Sequence, residues 1–139
     1  MSHSLCFLQR AHAAHRTPDK PSQLQGYRCS NRSTPYPGPG LLESNYHSCL
    51  CRELELRNVH HESEVELPLE YKGVRIKKGY VIDLLIEHSL LVEIKSVEKL
   101  LPIHSSQLLT YMRLRLIEIG LLINFNVQAL FDGVRRLLL

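Results

Sequence analysis

The amino-acid sequence predicts a single mixed α/β (α+β) domain, and three observations support this fold class. Apolar residues recur at helical spacing in two segments, residues 41–58 and 103–117. Between them lie short runs in which polar and apolar residues alternate, as in half-exposed strands. A continuous apolar run at residues 121–125 is typical of a buried strand. The predicted order of elements is therefore α-β-β-β-β-α-β-β.

Length and composition limit the class of protein. The 139 residues suffice for one domain, and 44% hydrophobic and 22% charged residues are ordinary for a soluble globular protein. No apolar run approaches the length of a membrane span, so we expect no transmembrane helix and no membrane partner. The cysteines form no CxxC pair, so we expect reduced thiols in a cytoplasmic protein. They are Cys6, Cys29, Cys49 and Cys51.

The first 37 residues differ from the rest of the chain. Residues 1–39 hold five basic residues against Asp19 alone, whereas the remaining residues hold twelve basic and thirteen acidic ones. The proline- and glycine-rich run 34–40 excludes a helix or a central strand. We therefore predict a disordered or atypical tail over 1–37 and a domain over 38–139. Because the domain is nearly neutral, its overall charge gives no argument for binding nucleic acid.

The first helix is predicted from Leu41 to Asn58, and Pro39 and Gly40 mark its entry. Glu43 falls in its first turn. Two interpretations of Glu43 are open: it belongs to a functional site, or it only complements the helix dipole, which is common.

After this helix, the alternating runs 64–67 and 69–71 have the pattern of a half-exposed strand, and a turn at Lys72-Gly73 leads to a further strand over 74–77. The last of these runs places basic residues along one strand edge. An edge that is simply exposed to solvent explains them without any function. These residues are Arg75, Lys77 and Lys78.

The functional prediction depends on residues 79–95. They consist of two apolar strands joined at the polar triplet Glu87-His88-Ser89, which is the pattern of a β-hairpin. If the hairpin is symmetric about His88, Asp83 lies opposite Glu93, with Cβ atoms roughly 4.5–5.5 Å apart. Because like charges at that separation destabilise a sheet, we favour a divalent cation bound between the two carboxylates.

Lys95 lies two residues after Glu93 and therefore emerges on the same face of the strand. There it could orient a metal-bound water or stabilise charge on a phosphate during phosphodiester hydrolysis. The alternative is a solvated ladder of ion pairs, which is common and of little energetic worth. Leu85 and Leu91 share this face, which favours a covered arrangement over the solvated ladder.

The second helix is predicted from Ile103 to Ile117, ended by Gly120. Gln107 and Tyr111 are four residues apart and share one face of it. A final edge strand is predicted over 134–139.

Together these motifs resemble a known group of enzymes. Asp83 followed by Glu93-Ile94-Lys95 resembles the D…ExK signature of the PD-(D/E)xK nuclease superfamily. The run from Gln107 to Tyr111 is similar to the QxxxY motif of its RecB-like exonuclease branch. The run from Gly40 to Tyr46 resembles the motif that names the GxxExxY protein family, which is largely bacterial. Three further blocks also resemble this family: Gly38–Ser44, Val97–His104 and Leu121–Asn126.

The resemblance implies a mixed sheet flanked by helices and a nuclease that uses Mg²⁺ or Mn²⁺. The implied partner is nucleic acid, DNA in preference to RNA, and a homodimer is one possible assembly. The residues that it implies are Glu43, Asp83 and Glu93 as metal ligands, Lys95, Glu93 and Asp83 as catalytic residues, and Gln107 and Tyr111 as supports of the site or contacts to nucleic acid.

One departure from the family concerns the N-terminal side. Relatives carry a helix with a Val-His pair shortly before Gly-Pro-Gly, where this chain has residues 31–36 with no helical pattern. Three interpretations of the chain follow. It is an active nuclease, an inactive nuclease-fold module that binds nucleic acid or protein, or a truncated product without function.

Overall fold

The computed structural model describes residues 38–139, including the backbone but not the side chains of Lys77 and Lys78. The tail predicted over residues 1–37 lies outside the described residues. Two helices and five strands make up the described part, with a short 3₁₀ helix (Leu130–Gly133) before the last strand. They are α1 (Glu43–Leu56), β1 (His61–Tyr71), β2 (Val74–Ile86), β3 (Leu90–Lys95), α2 (Pro102–Arg115), β4 (Ile119–Asn124) and β5 (Val134–Leu138).

The five strands form one sheet in the order β1-β2-β3-β4-β5. β3 and β4 are parallel, whereas the other neighbouring pairs are antiparallel. Parallel neighbours need a crossover connection, and α2 supplies it between β3 and β4. The mixed sheet with helices that the sequence predicts is therefore confirmed.

The prediction of separate strands over 74–77 and 79–86 is wrong, because β2 continues through Gly79. The register between β1 and β2 shifts between Leu67 and Leu69, where Pro68 has no N–H to donate to the ladder. A Cβ atom on Gly79 would lie 2.0 Å from the Leu67 carbonyl oxygen. This glycine therefore permits a close approach at a bulge and does not end the strand.

The predicted end of the second helix at Gly120 is also wrong. α2 ends at Arg115, and Leu116 adopts the left-handed conformation with φ of 55°. Gly120 lies instead in β4, where a Cβ atom would meet the Met112 Sδ atom at 2.6 Å. Gly120 therefore lets α2 pack closely on the sheet.

The core lies on both sides of β3, whose residues 90–94 are all buried. On one face, α2 contributes Leu108, Tyr111 and Met112 to a cluster that includes Leu91 and Leu122. The covered face inferred from Leu85 and Leu91 is thus present.

α1 also packs on the sheet. Its residue Leu54 is fully buried, and the Tyr46 ring stacks on Phe125 with 4.7 Å between ring centroids. None of the helices between residues 38 and 139 is long and apolar enough to cross a membrane.

Replacing Leu116 by glycine should raise the free energy of unfolding by about 0.5–1 kcal/mol. The Leu116 side chain is 89% exposed, so little packing is lost, while glycine adopts the positive φ without steric cost. Urea denaturation measures the change. Leu114→Gly, inside the same helix, is the control and should lower stability by about 1 kcal/mol. A similar loss in both variants would contradict a strained Leu116.

Candidate functional site

The predicted hairpin is present with the predicted register. β2 and β3 pair at Leu84–Val92, Leu85–Leu91 and Ile86–Leu90. Residues 87–89 form the turn, with His88 at its tip. The paired ladder ends at Leu84–Val92, and beyond it Asp83 is close enough to Glu93 for its charge to raise the pKa of Glu93.

Asp83 departs from the regular ladder of the sheet. Pairing between β1 and β2 passes from Ser63–Leu84 directly to Val65–Ile82, and the intervening Glu64 has φ of 53°. On the other side, the Ile94 N–H donates a hydrogen bond to Asp83 Oδ2 at 2.6 Å. The carboxylate thus accepts from the main chain of β3, which holds it against that strand.

Glu93 is a charged residue in the middle of the core. Its side chain is only 3% exposed, and its Oε1 atom accepts a hydrogen bond from Lys95 Nζ at 2.7 Å. Its Oε2 atom is buried and has no hydrogen-bond partner among residues 38–139. A buried carboxylate oxygen without a partner is costly, so this atom requires a physical explanation.

Burial is the largest single influence on the pKa of each of the three charged groups on the hairpin. Burial raises the pKa of Glu93 to about 7, with a further rise from Asp83 and an opposing effect of Lys95. Burial likewise raises the pKa of Asp83, although the Ile94 N–H and Lys95 oppose the rise. Burial lowers the pKa of Lys95, but the hydrogen bond to Glu93 and the nearby carboxylates outweigh it, so that pKa is raised overall. Lys95 therefore carries its proton at neutral pH, where Glu93 is near its midpoint.

Glu43 approaches these groups from the first turn of α1. Its Oε1 atom accepts a hydrogen bond from the Ser96 N–H at 3.3 Å, immediately after β3. It is also close enough to raise the pKa values of Asp83, Glu93 and Lys95. α1 therefore brings a third carboxylate to the edge of the site, where it has an interaction beyond the helix dipole.

Gln107 and Tyr111 face the site from α2. Tyr111 is 2% exposed, and its hydroxyl accepts a hydrogen bond from Gln107 Nε2. Burial raises the pKa of Tyr111, and the charge of Glu93 adds to the rise. The Tyr111 hydroxyl is thus close enough to Glu93, Lys95 and Asp83 for their charges to affect its pKa.

Two residues at the site were not predicted. His47 Nε2 lies 3.1 Å from the main-chain oxygen of Asp83. Asn124, 3% exposed, accepts from the Val97 N–H and donates to the Val97 carbonyl, which holds the chain after Lys95. Weak signals exist for both, because His47 is four residues after Glu43 and Asn124 is a polar residue in an apolar run.

The oxygen ligands of the site suit a hard divalent cation. Mg²⁺ prefers oxygen ligands and is usually held by one or two carboxylates together with water. Glu93 Oε2 lacks a hydrogen-bond partner within residues 38–139, and Asp83 is close enough for its charge to raise the pKa of Glu93. No three His, Cys, Asp or Glu side chains between residues 38 and 139 are gathered closely enough to hold a metal. The Asp83–Glu93 pair offers the carboxylate oxygens that such a cation prefers, while Glu43 Oε1 accepts from the Ser96 N–H.

Comparison with known proteins places these motifs in a family. A family model described as the PD-(D/E)XK nuclease superfamily matches residues 30–137, which include every residue of the site. No curated protein and no solved structure matches the chain. The match is at the level of the superfamily, so the narrower resemblance to the GxxExxY family stays a prediction.

The raised pKa of Glu93 predicts how stability depends on pH in the absence of metal. Because its folded pKa of about 7 exceeds the ordinary 4.5, the folded protein binds more protons than the unfolded chain between these values. This stabilisation is present in full below pH 4.5 and is lost as pH rises through 7. As the pH rises from below 4.5 to above 7, the free energy of unfolding should fall by on the order of 3 kcal/mol. Urea denaturation in the presence of EDTA measures this change.

Glu93→Gln removes this titration and should flatten most of the pH profile. A residual slope of the same sign is expected from Asp83, whose pKa is also raised. Glu98→Gln, at an exposed position, is the matched control and should keep the wild-type slope. An unchanged slope in Glu93→Gln would show that this carboxyl is not the group responsible.

Proposed function

Because this chain belongs to the PD-(D/E)XK nuclease superfamily, we propose that it is a metal-dependent nuclease that hydrolyses phosphodiester bonds in nucleic acid. One observation carries the proposal. Glu93 is buried with one oxygen on Lys95 and the other without a partner in the described part of the chain, and Asp83 adds a second carboxylate. A divalent cation would balance both charges and supply the missing partner.

Asp83 and Glu93 would hold Mg²⁺ or Mn²⁺, with Glu43 as a third carboxylate from α1. When bound, the ion would lower the pKa of a water molecule and polarise a phosphate oxygen. The Ile94 N–H fixes the Asp83 carboxylate at 2.6 Å, so this ligand is oriented before any ion arrives. Glu93 would divide its oxygens between Lys95 and the ion, which leaves neither of them unpaired.

Lys95 would act as a proton donor in hydrogen bonds and as a positive charge. Its raised pKa means that the ammonium form persists at neutral pH, so it is unsuited to act as a general base. Held by Glu93, the ammonium group would stabilise charge on the phosphate in the transition state or orient the attacking water.

The substrate contacts would extend from α2. Gln107 and Tyr111 would support the Glu93 side of the site, because they are hydrogen-bonded to each other and Tyr111 is close enough to Glu93 to sense its charge. Arg113 and Arg115 are exposed in the last turn of α2 and would offer phosphate contacts. DNA is the first substrate to test and RNA the second, in a cytoplasmic protein that could act as a monomer or a homodimer.

Asp83→Ala and Lys95→Ala should each reduce metal-dependent cleavage by roughly 100-fold or more, since each removes a charge that acts in the transition state. Calorimetric titration with Mn²⁺ should separate the two roles. Asp83→Ala and Glu93→Ala should lose Mn²⁺ binding, whereas Lys95→Ala should still bind. Cleavage is measured on single- and double-stranded DNA and on RNA with the same samples.

Lys99→Ala, at an exposed lysine four residues further on, is the matched control and should cleave like the wild type. Cleavage that persists unchanged in both Asp83→Ala and Lys95→Ala would refute the nuclease assignment. A wild type that binds nucleic acid without cleaving it in Mg²⁺ or Mn²⁺ would instead indicate an inactive nuclease-fold module.

A further inference from the structure

His47 makes a contact that the mechanism above does not use. Its Nε2 atom lies 3.1 Å from the main-chain oxygen of Asp83, 36 residues away in sequence. A carbonyl oxygen can only accept, so Nε2 must carry the hydrogen and His47 is the donor. The bond joins α1 to β2 at the residue that carries a proposed metal ligand.

This bond lies where one pair is missing from the β1–β2 ladder. The β1–β2 pairing passes over Asp83, with the opposite residue Glu64 in the left-handed region at φ of 53°. On the β3 side, the Ile94 N–H is directed to the Asp83 carboxylate. A main-chain oxygen taken out of water needs a donor, and His47 provides one to this half-buried residue from outside the sheet.

We infer that His47 is a positioning residue for the metal site: by holding the main-chain oxygen of Asp83, it fixes the backbone from which the Asp83 carboxylate reaches Ile94 and faces Glu93. This inference rests on the proposed function, because a position matters for Asp83 only if its carboxylate binds an ion. Its physical basis is that an outer partner orients a ligand that it does not replace.

Cys51 completes the arrangement from the next turn of α1. Its Sγ atom lies 3.9 Å from both ring nitrogens of His47. Since Nε2 donates to Asp83, the thiol can donate only to Nδ1. Burial raises the pKa of the Cys51 thiol, so it keeps the hydrogen that it would donate.

The spacing of three residues in α1 places one face of this helix against the site. Glu43, His47 and Cys51 recur every four residues and therefore form one stripe along α1. Glu43 meets the Ser96 N–H after β3, and His47 meets the Asp83 carbonyl in β2. With Nε2 on a carbonyl and Nδ1 beside a thiol, the ring has no nitrogen directed at a cation, which separates His47 from the metal ligands.

Calorimetric titration of the full chain with Mn²⁺ tests the inference without depending on cleavage. His47→Ala should weaken Mn²⁺ binding about 10- to 100-fold, the usual effect of removing an outer-shell partner. His47→Gln should bind within about 3-fold of the wild type, because the amide nitrogen of glutamine can donate from near the Nε2 position.

Two controls separate positioning of Asp83 from general loosening of α1. Leu54→Val removes buried packing from the same helix without touching Asp83, and it should leave Mn²⁺ affinity unchanged. Ser48→Ala removes a side-chain hydrogen bond to the Ser44 carbonyl that lies within α1, and it should also leave Mn²⁺ affinity unchanged.

Several results would overturn the inference. Wild-type affinity in His47→Ala, or an equal loss in Leu54→Val or Ser48→Ala, would each reject it while leaving the proposed function in place. A wild-type chain that binds no Mn²⁺ would reject the proposed function, and this inference with it.

Discussion

The burial of Glu93 is the constraint on which the rest of this site depends. β3 is the middle strand of the sheet, with both faces covered, so a carboxylate projecting from it cannot reach water. Lys95 pairs with one carboxylate oxygen of Glu93. Asp83 on the neighbouring strand adds a second negative charge, which makes ionisation of Glu93 more costly. A buried charge of this kind is tolerated only when it is paired, protonated or bound to a metal. The affinity for a cation would thus originate in the fold itself.

The surrounding structure serves to hold this charge in place. β3 and β4 are parallel, with Lys95 beside Asn124 at their shared carboxyl-terminal end. Asn124 then binds both main-chain groups of Val97, which fixes the segment that follows Lys95. α1 closes the other side, where Glu43 meets the main chain of Ser96. Rigid elements therefore support every charged group of the site, whereas a surface ladder of ion pairs would need none of them.

Local patterns predicted the parts of this arrangement that depend on neighbouring residues. Alternation about His88 was enough for the register of β2 and β3, because side-chain period and turn position together allow one solution. Gly79 and Gly120 could not be interpreted correctly, since each is required by an atom distant in sequence, the Leu67 oxygen and the Met112 sulfur. His47 was missed for the same reason, because it binds a main-chain oxygen 36 residues away, and its spacing of four residues from Glu43 was only a weak signal.

Proton and cation would compete for the same oxygen of Glu93, and this competition links stability to function. Near neutral pH, where the pKa of Glu93 lies at about 7, the carboxyl group is divided between its two forms. The protonated form removes the buried charge but blocks a metal ligand, whereas the ionised form exposes the ligand at a cost in stability. A bound ion would return that stability, because a ligand that binds only the folded state stabilises it. At higher pH, the same carboxylate would therefore lower the stability of the metal-free domain and raise that of the metal-bound domain. The ion would then contribute to the stability of the fold as well as to the chemistry.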